Sequence, residues 1–412
     1  MGGICLDKQW IMDAISNFAK IGMGQQGVTR LAFSEEERDA KEYAADLMRQ
    51  AGLNVHVDAV GNVFGRLEGT DHRGKVVMTG SHVDTPPNGG KFDGVVGVVA
   101  GLAAIEELKS RGPLTYPVEL VVFSAEESSR FGYATLGSKV MTGRAKLAAW
   151  NRIKDESGIS LVEAFRKLGY SFDDIRDSIR SSEEIKAFVE LHIEGGPYLE
   201  RTKHNIGIVE TIAAPTRLRI VVEGNAAHSG STPMDERQDA LVSAAMIVLA
   251  VQEIGMKHMH QGIVGTVGLF KVYPNAMNVV PGRVEMGVDI RGTDHASIVD
   301  TLQDIKDAIS TIADGQETPV SIEVMVSEMP VEMDERIVST IEGVCKRLHV
   351  SSMRMHSRAG HDAMNMAKMV PSGLIFIPCH EGISHNIEEY ADVADIYNGA
   401  KVLAETLYEL AK

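Results

Sequence analysis

Five residues spread along the chain, His82, Asp93, Glu127, His192 and His385, each lie in a short segment whose residue types could hold a metal ion. The segment GSHVDTPPNGGKFDG, from Gly80, follows the apolar run Val76-Val77-Met78, so a buried strand is expected to deliver His82 and Asp84 to its carboxyl end. Alternation puts both on one face. There Asp84 can accept the imidazole proton of His82 and leave the other ring nitrogen for a metal. Asp93 comes from a glycine-rich loop, and its two oxygens can bridge two cations, which a neutral imidazole cannot do at ordinary ligand distances. The segment VELVVFSAEESSRFG, from Val118, reads as a strand ending at Glu126-Glu127, where neighbouring side chains diverge. One carboxylate can then bind metal while the other acts as general base, taking a proton from a polarised water and returning it to a leaving nitrogen. FVELHIEGG, from Phe188, and GISHN, from Gly382 after the apolar SGLIFIP, each present a histidine near a strand end.

Taken singly, each residue has a blander reading: a histidine near a strand end is usually a hydrogen-bonded polar residue, and Glu-Glu is usually a solvated pair. Their combination at successive strand ends, with glycine-rich turns, is what suits zinc, manganese or cobalt.

The elements that must position these groups follow from periodicity. LDKQWIMDAISNFAKIG and SEEERDAKEYAADLMRQAG read as amphipathic helices, the second with Ser34 as N-cap, Glu37 completing a capping box and Gly52 at its end. VVMTGSHVD, VELVVFSAE and AFVELHIE read as strands of an α/β sheet. After about residue 212 the rhythm changes to strand, helix, two strands, helix, strand, running from TRLRIVVEGNA to VSIEVMVSEM, which has a ferredoxin-like order. From VEMDERIVSTIEGVCKRL the first pattern resumes. The expected fold class is therefore α/β, with a discontinuous catalytic sheet domain over 1–212 and 329–412 and an inserted α+β lid over 213–328. Hinges are expected near 211–215 and 327–332, restricted by Pro215 and Pro330.

Composition sets limits. A chain of 412 residues is too long for one ordinary core. A net charge of −16 argues against a nucleic-acid surface but not against an anionic substrate, because local arginines set a pocket's field. Cys5, Cys345 and Cys379, widely spaced and odd in number, read as reduced thiols in a cytoplasmic protein. MGGICLDKQW lacks the basic and apolar regions of a secretory signal, and Leu6 stands where a myristoylation pattern needs serine or threonine. Apolar runs such as VVGVVAGLAAI are too short to span a bilayer, so no membrane partner is expected.

The quoted segments, with GVTRLAFSEEERDAK near Gly27 and GNVFGRLEG, resemble almost end to end the hydantoinase/carbamoylase family of amidases, a branch of the dinuclear zinc aminoacylase and peptidase superfamily. That family comprises N-carbamoyl-L-amino-acid hydrolases, allantoate amidohydrolases and β-ureidopropionases. The resemblance implies two divalent ions per subunit, zinc first, with manganese, cobalt or nickel as alternatives. His82, Asp93 and His192 match the ligands of one ion, and Asp93, Glu127 and His385 those of the other. Glu126 matches the general base. His228, in AAHSGSTPM, matches an oxyanion-stabilising histidine supplied by the partner of a homodimer, so a monomer would be nearly inactive. Asn278 and Arg291 match the pair that grips the substrate α-carboxylate; Arg291 alone reads equally as a surface ion pair with Asp289 or Asp294. Gly360 matches a backbone turn that touches the substrate.

Three positions depart from the family pattern. Gly195 stands where HIEQG has glutamine, Pro215 aligns with a second glutamine, and Arg358 in SRAGHDAM replaces a small residue. Both lost amides could recognise a ureido group by donor and acceptor at once. Arg358 could recruit a second acidic group or fill surface space. The expected activity is metal-dependent cleavage of the C–N amide bond of an N-carbamoyl-L-amino acid or allantoate-like ureido acid. An N-acyl amino acid or dipeptide substrate is the alternative on the same scaffold, and a non-catalytic binding protein is the alternative of another class.

Overall fold

A computed structural model describes residues 6–71 and 74–412; Cys5 and the start of the chain lie outside the described residues. Helices α1 (Lys8–Lys20) and α2 (Glu35–Gln50) precede strands β1 (Asn54–Val57), β2 (Val63–Leu67) and β3 (Val76–His82), helix α3 (Val95–Ser110) and strand β4 (Val118–Phe123). Short helices α4 (Leu136–Met141) and α5 (Leu161–Lys167) lead to β5 (Ile185–Ile193), α6 (Tyr198–Thr202) and β6 (Ile206–Ile212). Then come β7 (Ala214–Glu223), β8 (Ala227–His228), α7 (Ala240–His258), β9 (Val264–Tyr273), β10 (Val279–Val280), β11 (Arg283–Gly292), α8 (His295–Gln316) and β12 (Val320–Ser327). The chain closes with β13 (Val331–Glu332), α9 (Glu335–Leu348), β14 (Ser352–Ser357), α10 (Ala363–Met366), β15 (Ser372–Ile377) and α11 (Val393–Ala411).

The chain divides into two compact units, Met1–Glu210 with Glu332–Lys412, and Thr211–Val331. The first carries a nine-stranded sheet in the order β1-β2-β4-β3-β5-β15-β6-β13, with β14 also paired to β6. Its centre is parallel: β3 runs with β4 and with β5, and β5 with β15. Strands β3, β4 and β15 are buried at every residue, which is why they read as continuous apolar runs rather than alternating ones. Helix α3 is buried along most of its length because VVGVVAGLAAI is apolar all round; it is a core helix of this unit. The sheet's parallel strands end together at their carboxyl termini, where loops can carry reactive groups.

The second unit is a four-stranded antiparallel sheet in the order β12-β7-β11-β9, covered by α7 and α8. β7 and β11 alternate buried positions with half-buried or exposed ones without fault. The residues Ala240–Gln261 are long and apolar enough, by length and composition, to cross a membrane, contrary to the expectation that no apolar run was. The reason is that both faces of α7 are apolar. Ala240, Ala244, Ile247, Val251 and Ile254 are buried in the core of this unit, whereas Val242, Met246, Leu249 and Met256 are exposed.

Three local expectations are corrected. Ser34 caps α2 by accepting from the Glu37 amide at 3.2 Å, but Glu37 turns inward, so no capping box forms. β3 stops at His82, so Asp84 is not placed by strand alternation, and β4 stops at Phe123 rather than at Glu126. Between Phe123 and Glu126 the chain passes through Ala125 in the left-handed region, at φ 53°, which reorients the two glutamates.

Candidate dinuclear metal centre

Four chain segments of the first unit bring the predicted ligands together. His82 Nε2, His192 Nε2 and Asp93 Oδ1 form a triangle with sides of 3.4, 3.1 and 3.5 Å. Three donors bound at about 2.05 Å in tetrahedral array would stand about 3.3 Å apart, so the triangle fits one ion of that class. The other oxygen, Asp93 Oδ2, lies 3.3 Å from His385 Nε2, which is 3.1 Å from Glu127 Oε1. The two groups share Asp93 and no other residue. Three imidazole nitrogens and two carboxylates form a borderline donor set, suited to zinc and its neighbours more than to magnesium or calcium. The residues therefore fit two divalent ions.

Two of the three imidazoles are oriented from behind. Nδ1 of His192 meets the carbonyl of Ile193 at 2.9 Å, and Nδ1 of His82 meets the carbonyl of Asp84 at 3.1 Å. Asp84 was expected to accept the His82 proton through its carboxylate; Oδ1 is 3.4 Å away, and the backbone carbonyl is the nearer partner. The carboxylate instead accepts from the amides of Glu126 and Glu127 at 3.1 and 2.8 Å. Asp84 thus positions Glu126 and Glu127 as well as the imidazole. Gly94 is required here for two reasons: φ is 66°, and a Cβ would stand 2.5 Å from the His82 ring.

Charge in this pocket is strongly unbalanced toward acid. Burial works against a charged His82, yet Asp84 and Asp93 raise its pKa well above the ordinary imidazole value. His385, facing Asp93 and Glu127, is pushed up to about 11. Burial opposes the ionised form of Asp93, but His192, His385 and His82 hold it well below the usual carboxylate range. Such a field is what bound cations would neutralise, displacing the protons from the three rings. Glu126 is held well above the carboxylate range by burial, opposed by His82 and reinforced by Glu127, Asp362 and Asp84. Its Oε2 lies 3.9 Å from His82 Nε2, beside the ligands without being one of the shared group.

Several residues of this centre carry no sequence motif. Glu389 accepts from the amides of Phe92 and Asp93 at 2.8 and 3.0 Å, from the Ser384 hydroxyl at 3.2 Å and from the His385 amide at 3.3 Å. Ser384 Oγ also lies 2.9 Å from Asp93 Oδ2, so its one proton is shared between the two carboxylates. One buried carboxylate therefore fixes Asp93 and His385 together. Glu37 accepts from the Ala125 amide at 2.8 Å, and Asn62 Oδ1 from the Ser124 amide at 2.9 Å. With Asp84, these bonds secure four consecutive amides, 124 to 127. His361 packs edge-on against His192 with ring centres 4.5 Å apart, and burial keeps it neutral.

The remaining predicted residues fall in two places. Arg358 and Gly360 belong to the first unit and are exposed, three residues and one residue before His361. His228, Asn278 and Arg291 belong to the second unit. His228 pairs with Val279 across β8 and β10, and the Ser229 amide donates to the Asn278 carbonyl at 3.0 Å, so His228 and Asn278 are neighbours. Arg291 bonds to Asp289 Oδ2 at 3.1 Å, one of the two ion pairs anticipated for it, and lies opposite Pro215 in the β11–β7 register.

The profile of peptidase family M20/M25/M40 matches residues 78–409 of this chain. An uncharacterized hydrolase of Haemophilus influenzae is 40% identical over 98% of both chains. An N-carbamoyl-L-amino-acid amidohydrolase of a Pseudomonas species is 35% identical over 99% of both chains. A ureidoglycolate hydrolase of Arabidopsis thaliana is 37% identical over 97% of this chain and 85% of its own. Among solved structures, a hydantoinase/carbamoylase-family amidase of Burkholderia multivorans superposes with a TM-score of 0.89 at 35% identity, covering 99% of this chain and 98% of that one.

Proposed function

Because this chain belongs to peptidase family M20/M25/M40, and within it to the hydantoinase/carbamoylase amidases, we propose that it hydrolyses the C–N bond of an N-carbamoyl-L-amino acid or a related ureido acid. The protein is a metal-dependent hydrolase of carbon–nitrogen bonds; the substrate is the proposed part. The observation that carries the reading is Asp93, whose two oxygens face two separate ligand groups. When bound, a pair of divalent ions supplies a polarised carbonyl and an activated water. His82 and His192 would hold one ion, Glu127 and His385 the other, with Asp93 between them. Zinc is the first candidate, with manganese, cobalt and nickel compatible with the same donors.

Glu126 takes the proton from the attacking water and delivers it to the departing nitrogen, from a position 3.9 Å from the ligand nitrogen of His82. His228, acting across a homodimer, would donate to the oxyanion, while Asn278 and Arg291 would grip the α-carboxylate. Arg291 would exchange Asp289 for the substrate. The second unit, 213–328 in the sequence reading, would serve as lid and dimerisation domain, and the exposed apolar stripe of α7 supports a second copy of the chain as its partner. Cytoplasmic residence belongs to the same reading, supported by Cys345 and Cys379 as buried free thiols.

A second substrate class is favoured by one observation. Gly195 carries no amide where a ureido-recognising glutamine is expected, and its missing side chain leaves space beside Ser384, whose Cβ is 3.7 Å from the Cβ position. An N-acyl amino acid or dipeptide needs no such amide. The deciding experiment is a comparison of initial rates on paired N-carbamoyl and N-acetyl derivatives of the same L-amino acids, with ammonia release coupled to detection. Ammonia from the carbamoyl series supports the proposal; turnover of the acetyl series alone overturns it in favour of the second class.

A further inference from the structure

His228 sits on a strand of two residues in the second unit and is exposed, so packing does little to aim its ring. Hydrogen bonds do it instead. The turn that follows closes on the His228 carbonyl, which accepts from the Thr232 amide at 3.1 Å and from the Thr232 hydroxyl at 2.9 Å. Inside that turn the Gly230 amide points at the ring and donates to Nδ1 at 3.1 Å. A ring nitrogen that accepts an N–H bond carries no proton, so in the neutral imidazole the proton stands on Nε2. In the other tautomer Nδ1–H would face the Gly230 N–H, donor against donor.

A cation braces this turn. Arg237 Nη2 donates to the Ser229 carbonyl at 2.6 Å and to the Thr232 carbonyl at 3.0 Å, and Nε donates to the same Thr232 carbonyl at 3.2 Å. The Ser229 carbonyl and the Gly230 amide are the two ends of one planar peptide group. Holding its oxygen on one side therefore aims its N–H the other way, at the ring. Arg237 itself springs from a fixed segment: the Gln238 carbonyl accepts from the Asn225 amide at 2.8 Å, and Asp239 caps α7 by accepting from the Leu241 amide at 2.9 Å. A planar guanidinium can hold two carbonyls at a set spacing, which a single ammonium cannot.

We propose that Arg237 is a positioning residue for the oxyanion donor: through the Ser229–Gly230 peptide plane it fixes His228 as the tautomer whose Nε2 carries the proton. That is the form able to donate to a developing negative oxygen while Nδ1 is engaged from behind. The inference rests on the reading of His228 as oxyanion donor and names what aims it.

Nitrogen NMR of the zinc-loaded protein, with isotopically labelled histidine, reads the tautomer directly, because protonated and bare ring nitrogens resonate far apart. The His228 signals are those missing from His228→Asn. The parent should show Nε2 protonated and Nδ1 bare. Arg237→Met should show a mixture of tautomers, and Arg237→Lys, which can still reach one carbonyl, should keep more of the parent's form. On whichever of the N-carbamoyl or N-acetyl series is turned over, Arg237→Met should lower kcat about 10- to 100-fold with KM and bound zinc close to the parent's. Added to His228→Asn it should cause no further loss, because the ring through which it acts is gone. An unchanged tautomer in Arg237→Met, or losses that multiply in the double variant, overturns the inference. A parent-like kcat in His228→Asn overturns the oxyanion reading of His228 instead, and the tautomer measurement still decides whether Arg237 sets the ring.

Discussion

Glu126 and Glu127 are adjacent in the chain and differ in duty because Asp84 holds both amides and sends the side chains apart. Replacing Glu126 by Gln removes the proton carrier and leaves the ligand set whole. The expected result is a fall in kcat of roughly 100- to 10,000-fold at unchanged bound-metal content, measured by steady-state kinetics and elemental analysis. Glu389 is the more informative target, because it belongs to neither proposed ligand group. Glu389→Gln replaces a carboxylate that accepts four bonds with an amide that must aim a donor at some of them. Metal affinity should fall about 10- to 100-fold, read by competition with a chelator. An affinity equal to that of the parent would show that Asp93 and His385 are held without it. That His82, Asp93, Glu127, His192 and His385 would come together was legible in the sequence, because each sits in a short segment that joins a strand to a turn. Glu389 was not, because its partners Phe92 and Asp93 lie 297 and 296 residues away and nothing local marks a carboxylate that binds backbone.

At the scale of elements, the strand beneath the base ends early and a rigid loop takes over. Ser124, Ala125, Glu126 and Glu127 form no regular structure, yet each amide is bonded to a buried side chain from another segment. Behind them, Lys41 pairs with Glu37 at 3.4 Å and donates to the Ser124 hydroxyl at 2.8 Å, with both charged side chains almost wholly buried. Removing one partner of such a pair strands the other. Lys41→Met should therefore destabilise the protein by about 3–5 kcal/mol, seen as a lower midpoint in denaturant, and the double variant with Glu37→Gln should recover part of the loss. The parallel strands were readable as apolar runs, and the β-α-β-β-α-β order of the second unit followed from alternation. Where strands end was not readable: Asp84 and Glu126 owe their places to loop hydrogen bonds, and a pattern of period two carries no information past the last ladder bond. Glu37 illustrates the same blind spot, since a glutamate three residues after a serine reads as a capping partner whether it faces water or the core.

At the scale of the whole molecule, the inserted unit would serve the two proposed ends, a surface for a second copy and a set of substrate contacts. Val242, Met246 and Leu249 recur at helical spacing on the solvent side of α7, and Leu249 is 65% exposed. If that stripe is the dimer surface, Leu249→Glu should yield monomers in light scattering and lose most activity while keeping its metal, because His228 would no longer reach a partner's site. Dimers of full activity would place the interface elsewhere. The insertion also has a simple doorway. β6 carries the chain out of the first unit and β13 brings it back beside β6, with the Met333 amide bonded to the Glu210 carbonyl at 2.8 Å. Just inside that doorway Arg354 joins Glu210 to Glu335 and Glu342, so the threshold is riveted on the side of the sheet. A chain that leaves and returns at one point can lose what lies between without cutting its sheet. Joining Glu210 to Glu332 through a short turn would leave every proposed ion ligand in place and remove Arg291, Asn278 and His228 together: a receptor for metal with no grip on substrate. With the proposed roles, the enzyme would be an ion-binding core to which the power to choose a molecule has been spliced at a single seam.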